Sequence, residues 1–161
     1  MTIGDIAGIE NTAAWTFALE GRLDPEAPVY ASGSILIDRP AEDVWTVLRD
    51  VANWPDIRAD VHDVVAQDGE GIGTFTWFAG QIPVRSRFAV TEPGRRLTWS
   101  TLAVGLEAVH VYRFESIGSQ TLLTAAESMN GPRIGQVINS AQLEAQIGSW
   151  LDGLKALAEK R

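Results

Sequence analysis

The chain has no cysteine in 161 residues, which excludes disulfides, thiolate metal sites and a cysteine nucleophile. Histidine is nearly as scarce. His62 and His110 are the only two and lie far apart in sequence, an arrangement that argues against a zinc site. No apolar run approaches the roughly eighteen residues of a membrane-spanning helix. The first ten residues carry Asp5 and Glu10 and lack the basic start and apolar centre of a secretory signal, so a cytoplasmic location is expected. Basic residues are in the minority, 13 against 21 acids, for a net charge of −8. Nucleic acid and anionic membranes are therefore poor partners. No serine sits in a Gly-x-Ser-x-Gly elbow. Gly69-Glu70-Gly71-Ile72-Gly73 superficially matches a phosphate loop but precedes a strand pattern rather than a helix. No cofactor and no metal are expected.

What is present is an ordinary globular composition, 45% apolar, in a length that suits one domain. The stretch from Gly131 to Arg161 reads as one long helix around which the rest is organised. Asn130 is placed to cap it and Pro132 suits its first turn. Ile134, Val137, Ile138, Ala141, Ala145, Gly148, Leu151, Leu154 and Ala158 recur at helical spacing, and Leu143, Ile147, Trp150 and Leu157 widen that stripe.

Residues 1–28 read as an N-terminal arm, with Trp15, Phe17 and Leu19 alternating as in a short strand or extended segment. Such an arm has three possible uses: plugging a cavity mouth, covering an edge strand or mediating a homodimer. The main domain, 29–161, opens with a strand at Val29 to Ile37. A helix follows from Pro40, with Val44, Val47, Leu48 and Val51 as its buried stripe, and Asn53-Trp54-Pro55 ends it. Six short alternating runs come next: Val61–Gln67, Thr74–Ala79, Val84–Thr91, Arg95–Thr101, Leu106–Ser116 and Thr121–Met129. Turn chemistry separates them, at Asp68-Gly69-Glu70-Gly71, Gly80-Gln81, Pro93-Gly94 and Gly118-Ser119. Consecutive strands without helices between them make an antiparallel meander. The local basic cluster Arg85, Arg87, Arg95 and Arg96 reads as a solvated outer sheet face opposing nearby acids.

Alternation predicts the faces. Phe75 and Trp77 share one; so do Val84, Ser86, Phe88 and Val90; so do Leu97, Trp99 and Thr101; so do Leu106, Ala108, His110, Tyr112 and Phe114. In the last strand, Leu123, Ala125, Glu127 and Met129 are taken as inward because they offer the larger apolar ends, which carries Glu127 inside. Trp77, Phe88, Trp99, Tyr112, Phe114 and Met129 then all point at the long helix and are the candidate ligand-binding residues. Plain packing, with no space left, is the alternative. His62, beside Asp60 and Asp63, reads as exposed. His110 reads as inward, where an imidazole would serve as acid or base near neutral pH or simply as a bonded core group. Glu127, on the adjacent strand, is its expected companion and the second candidate catalytic residue. Asn139, Gln142 and Gln146 would add polar contacts if their side of the helix turns inward.

Two stretches carry a family resemblance: Ile35-Leu36-Ile37-Asp38-Arg39-Pro40-Ala41-Glu42-Asp43-Val44-Trp45 and Asp50-Val51-Ala52-Asn53-Trp54-Pro55. With Val109-His110-Val111-Tyr112-Arg113-Phe114-Glu115 and Thr121 they resemble the START-like, helix-grip superfamily (SRPBCC proteins), and within it the polyketide cyclase/dehydrase and lipid-transport group. The likeness spans residues 31 to 160. It implies an α+β helix-grip fold, with a curved antiparallel sheet of about seven strands wrapped around a long C-terminal helix and two short helices after the first strand. It also implies an elongated apolar cavity between sheet and helix.

Three functional readings follow. One is binding of a hydrophobic small molecule: a lipid, a quinone or a polyketide-like aromatic. Another is a polyketide cyclase/dehydratase-like enzyme using His110 and Glu127 as an acid/base pair. The last is a surface-interaction protein with a filled core. Inward polar groups within hydrogen-bond reach of each other separate the second from the first.

Overall fold

The computed structural model describes residues 8–67 and 73–161; the turn expected at Asp68-Gly69-Glu70-Gly71 and most of the apparent phosphate loop lie outside them. The strands are β1 (Val29–Ile37), β2 (Val61–Ala66), β3 (Thr74–Ala79), β4 (Ile82–Glu92), β5 (Arg96–Ala103), β6 (Leu106–Ile117) and β7 (Gln120–Asn130). They form one antiparallel sheet in the order β1-β7-β6-β5-β4-β3-β2. Strands β2 to β7 are the expected meander, and β1 closes onto β7. Helices α1 (Ala13–Glu20), α2 (Ala41–Arg49), α3 (Trp54–Ile57), α4 (Ile134–Val137) and α5 (Ser140–Lys160) complete the fold. The inner sheet face wraps α5, the helix-grip arrangement.

Three local expectations are corrected. The long helix starts later than its first capping signals suggest. Asn130 closes β7, its side-chain oxygen accepting from the Gly131 N–H, and the chain makes the one-turn α4 before breaking at Ile138. Asn139 caps α5 through a reciprocal box with Gln142, which satisfies two otherwise orphaned N–H groups. The break resets the helical phase. The buried face is Leu143, Ile147, Trp150, Leu151, Leu154 and Ala158, while Ala141, Ala145 and Gly148 are exposed. At 21 residues the helix is about 30 Å long, shorter than the unbroken stretch would be.

Pro55 begins a helix instead of ending one. It sits in the first turn of α3, where a missing N–H costs nothing. Residues 8–28 do not run as a strand. Thr12 caps α1 by accepting from the Trp15 N–H, and Gly21 ends it at φ +73°. Ala14 and Ala18 face the outer side of the sheet and pack on Val109 and Val111. Thr98 donates to the Ala18 carbonyl at 2.8 Å. Arg87 lies over the Trp15 ring and pairs with Glu10 at 3.7 Å, so part of the basic cluster is covered by this helix.

The inward parity holds on β3, β5, β6 and β7. On β4 a bulge between Phe88 and Thr91 resets it, placing Thr91 opposite Leu97; Val90 therefore no longer shares a face with Phe88.

Close approach sets the position of α3 against α5. A Cβ on Gly153 would lie 2.1 Å from the Ile57 carbonyl oxygen, whereas one on Gly148 would meet nothing within 4 Å. Alanine in a helix interior otherwise gains about 0.5–1 kcal/mol over glycine. Gly148→Ala is thus expected to stabilise the protein by that amount. Gly153→Ala is expected to destabilise it by about 1–3 kcal/mol, the range for overpacking. Urea unfolding midpoints of the two variants check the opposite signs.

Candidate functional site

On β3, β5 and β6 the inward rows pass from bulky residues through aromatics to a small one, with Trp77 and Trp99 the largest at mid-strand and Leu106 following Ala108. On β3 the series is Phe75, Trp77, Ala79; on β5 it is Leu97, Trp99, Thr101, Ala103; on β6 it is Phe114, Tyr112, His110, Ala108. The registers place Leu97 beside Tyr112 and Phe88 beside Trp99 at one end, and Thr101 beside Ala108 toward the other. The large end closes on the helices. Phe75, Phe88, Leu97 and Leu123 are fully or nearly fully buried there with Trp54, Leu48 and Leu154. At the small end the sheet and α5 stand apart, leaving a cavity of about 480 Å³.

Trp54, Trp77, Trp99, Tyr112, Trp150 and Met129 form most of its apolar wall. Four of the six aromatic and methionine positions expected to meet a ligand therefore line it. Phe88 and Phe114 lie in the closed core, Phe88 between Phe75 and the Arg49 guanidinium. Trp54 and Trp150 were not among the expected wall residues. Trp54 reads in sequence as a helix terminator, and Trp150 as the margin of a stripe. Gln142 and Gln146 also reach the cavity from α5, although the Gln142 carbonyl already accepts from the Asn139 N–H. Exposed Ile82 and Val137 stand at the open end.

A single polar row crosses the apolar wall, with one residue from each of five successive strands. The Trp77 indole N–H donates to Ser86 Oγ at 3.1 Å, Ser86 Oγ and Thr101 Oγ1 are 3.0 Å apart, and Thr101 Oγ1 is 3.0 Å from His110 Nε2. His110 Nδ1 is 3.2 Å from Glu127 Oε1, both side chains only 13% exposed. An indole can only donate, so Ser86 must accept from Trp77. Ser86 is fully buried, and leaving its hydrogen unbonded would cost roughly 1–3 kcal/mol. Its hydroxyl therefore donates to Thr101, and the Thr101 hydroxyl donates to His110 Nε2. A nitrogen that accepts carries no proton, so the imidazole proton sits on Nδ1, which faces the Glu127 carboxylate as an ion-pair contact. The row has the connectivity of a carboxylate–imidazole–hydroxyl triad. Thr101 is only 6% exposed and its oxygen already accepts from Ser86, so its hydroxyl acts as a donor to the ring rather than a nucleophile.

Trp99 stacks on both His110 and Tyr112, with ring centroids 4.7 and 4.9 Å apart. Burial pushes the Tyr112 hydroxyl well above the usual phenol value, and the negative charge of Glu127 adds to the shift. His62 lies apart from all this. It is half exposed, stacked on Phe78 at the sheet's β2 edge and bonded to Asp63 and the Gly80 carbonyl. Among the described residues no three His, Asp or Glu side chains gather where they would hold a metal ion, and no helix is long and apolar enough to cross a membrane.

The raised Tyr112 value has a defined sign. The folded protein keeps the phenol protonated to higher pH than the unfolded chain, so its contribution is complete below about pH 10 and is lost as pH rises through the folded value. Denaturant unfolding between pH 8 and 11 is expected to show stability falling above pH 10. In Tyr112→Phe that alkaline fall should be smaller.

The sequence matches, over residues 28–159, the family described as polyketide cyclase / dehydrase and lipid transport. No protein of curated function matches it. Solved structures with the same fold include the Zhui aromatase/cyclase from Streptomyces sp. R1128, at 20% identity and a TM-score of 0.66 over 82% of this chain and 94% of that one. A hypothetical protein of Helicobacter pylori is similar at 20% identity and 0.66, over 83% and 90%. A truncated norcoclaurine synthase from Thalictrum flavum aligns at 11% identity and 0.64, over 82% and 94%. Likeness at these identities speaks to the fold, and the family match spans nearly all of the sheet and the long helix. The chain belongs to the polyketide cyclase/dehydrase and lipid-transport family.

Proposed function

We propose that the protein binds a hydrophobic small molecule, of lipid, quinone or polyketide-like aromatic type, in the space between the sheet and α5. The observation that carries this reading is the 480 Å³ cavity walled by Trp54, Trp77, Trp99, Tyr112, Trp150 and Met129. Its volume lies within the range of small-molecule sites, about 300–1,000 Å³, and a mostly apolar wall with a few convergent polar groups is their usual chemistry. Aromatic faces supply large contact area at little cost in side-chain freedom.

A second reading, catalysis of ring closure and dehydration, draws support from the His110–Glu127 pair, 3.2 Å apart on this wall, and from family membership. In that chemistry the pair takes a proton from a carbon beside one carbonyl. The carbon then bonds to a second carbonyl, whose oxygen takes up a proton to become a hydroxyl; loss of a second proton from the same carbon forms a C=C bond as the hydroxyl, protonated again, leaves as water.

Native mass spectrometry of the purified protein tests the binding reading, with extraction and identification of whatever is bound. A stoichiometric apolar adduct is expected, or uptake from a panel of quinones, fatty acids and polyketide-like aromatics with quenching of tryptophan fluorescence. A clean mass with no uptake would retire it in favour of a surface role. For the second reading, His110→Ala and Glu127→Ala should abolish conversion of a bound poly-β-ketone while leaving its binding within roughly tenfold.

A further inference from the structure

The polar row assigns different jobs to His110 and Glu127. Both imidazole nitrogens face protein groups, Nε2 hydrogen-bonded with Thr101 and Nδ1 3.2 Å from the Glu127 carboxylate. Glu127 differs. His110 Nδ1 lies beside one carboxylate oxygen, and the other has no hydrogen bond or ion pair among the described residues, although Glu127 lines the cavity. The residue opposite it on β1 is Ala31, too small to fill the space beside it. The Tyr112 hydroxyl, on the same wall, likewise has no hydrogen bond among the described residues, and burial keeps it protonated.

Resting on the binding reading above, we propose that the ligand carries a hydroxyl hydrogen that it donates to the second oxygen of Glu127, and that His110 is a positioning residue. The chain of donors from Trp77 through Ser86 and Thr101 fixes the imidazole tautomer, and the imidazole in turn fixes the carboxylate. A carboxylate only accepts, so it prefers a hydroxylated aromatic over the matching ether, ketone or quinone, which would leave Glu127 unpaired in an apolar wall. Discrimination of this kind is stronger than apolar shape can give, because the penalty falls on a buried charged group.

The test is a matched pair of probes, 1-naphthol and 1-methoxynaphthalene, titrated calorimetrically into the full-length protein. Wild type should bind the naphthol roughly tenfold or more tightly than the ether, the effect of one hydrogen bond to a charged acceptor. In Glu127→Gln the amide oxygen takes the position beside His110 Nδ1 and the amide N–H₂ faces the cavity, so the acceptor is lost. The preference should then collapse toward unity with ether binding little changed. Equal affinities in wild type would overturn the hydroxyl assignment and leave the binding reading standing, whereas no binding of either probe would overturn both. A preference undiminished in Glu127→Gln would move the acceptor elsewhere and overturn the proposal. The wild-type comparison stands without any variant, and a second measurement needs none either. In ¹⁵N-histidine-labelled protein the His110 shifts should report a protonated Nδ1 and a bare Nε2. The reverse pattern would overturn the positioning role.

Discussion

Trp54 is the contact on which the closed end of the molecule depends. Its ring centroid lies between 5.1 and 5.6 Å from those of Phe75, Trp77, Trp99 and Trp150, so one side chain touches β3, β5 and α5 at once. Three of the four contacts are edge-on, the arrangement the ring quadrupoles favour. Its only polar atom donates to the Leu48 carbonyl at 2.9 Å, so burial leaves nothing unpaired. The short helix that carries Trp54 is held against α5 where Gly153 lets backbone meet backbone. Sheet and long helix are thus pinned together at one end. At the other they stand apart around the cavity, where Thr101, Ala103 and Ala108 are among the inward residues.

That separation makes the polar row tolerable. Hydroxyl, imidazole and carboxylate groups in a dry core are costly unless each is bonded. Here Trp77, Ser86 and Thr101 each find a hydrogen-bond partner on the neighbouring strand, and His110 faces Glu127, because residues of equal parity sit almost opposite one another across β3 to β7. The direction of the whole row follows from its first member, an indole that cannot accept. Four polar groups of the wall lie outside this pairing: the second oxygen of Glu127, the hydroxyl of Tyr112 and the indole N–H groups of Trp99 and Trp150. The wall is therefore apolar in area and specific in only a few atoms, a pattern suited to orienting a molecule that is itself mostly apolar.

The outer face of the sheet is stabilised separately. Helix α1 covers Val109 and Val111, whose outward alternation would otherwise leave apolar surface in water. Its Ala14 N–H is capped by Glu107 and its Ala18 carbonyl by Thr98, both from the sheet. Helix α1 therefore packs away from the cavity, on the central strands.

The sequence by itself determined the strand succession, the register-sensitive parity of β3, β5, β6 and β7, and the existence of the C-terminal helix. Those features are written in period-2 and period-3.6 spacing and in turn residues, all local. Glu127 could be placed inward beside His110 because alternation on β7 leaves only two choices and one of them buries the larger apolar ends. The taper from Phe75 and Leu97 to Ala79 and Ala103 was also present in the residues, but it shows an opening only once the strands are aligned. Tertiary structure alone decided the rest. The break at Ile138 and Asn139 depends on how far β7 runs before the chain can turn onto the sheet. The helical state of residues 13–20 depends on the apolar outer face it covers, which outweighs an alternation of three side chains. The roles of Trp54 and Trp150 as cavity wall, and the single direction of the hydrogen-bond row, arise from contacts between residues tens of positions apart. No local pattern records such contacts.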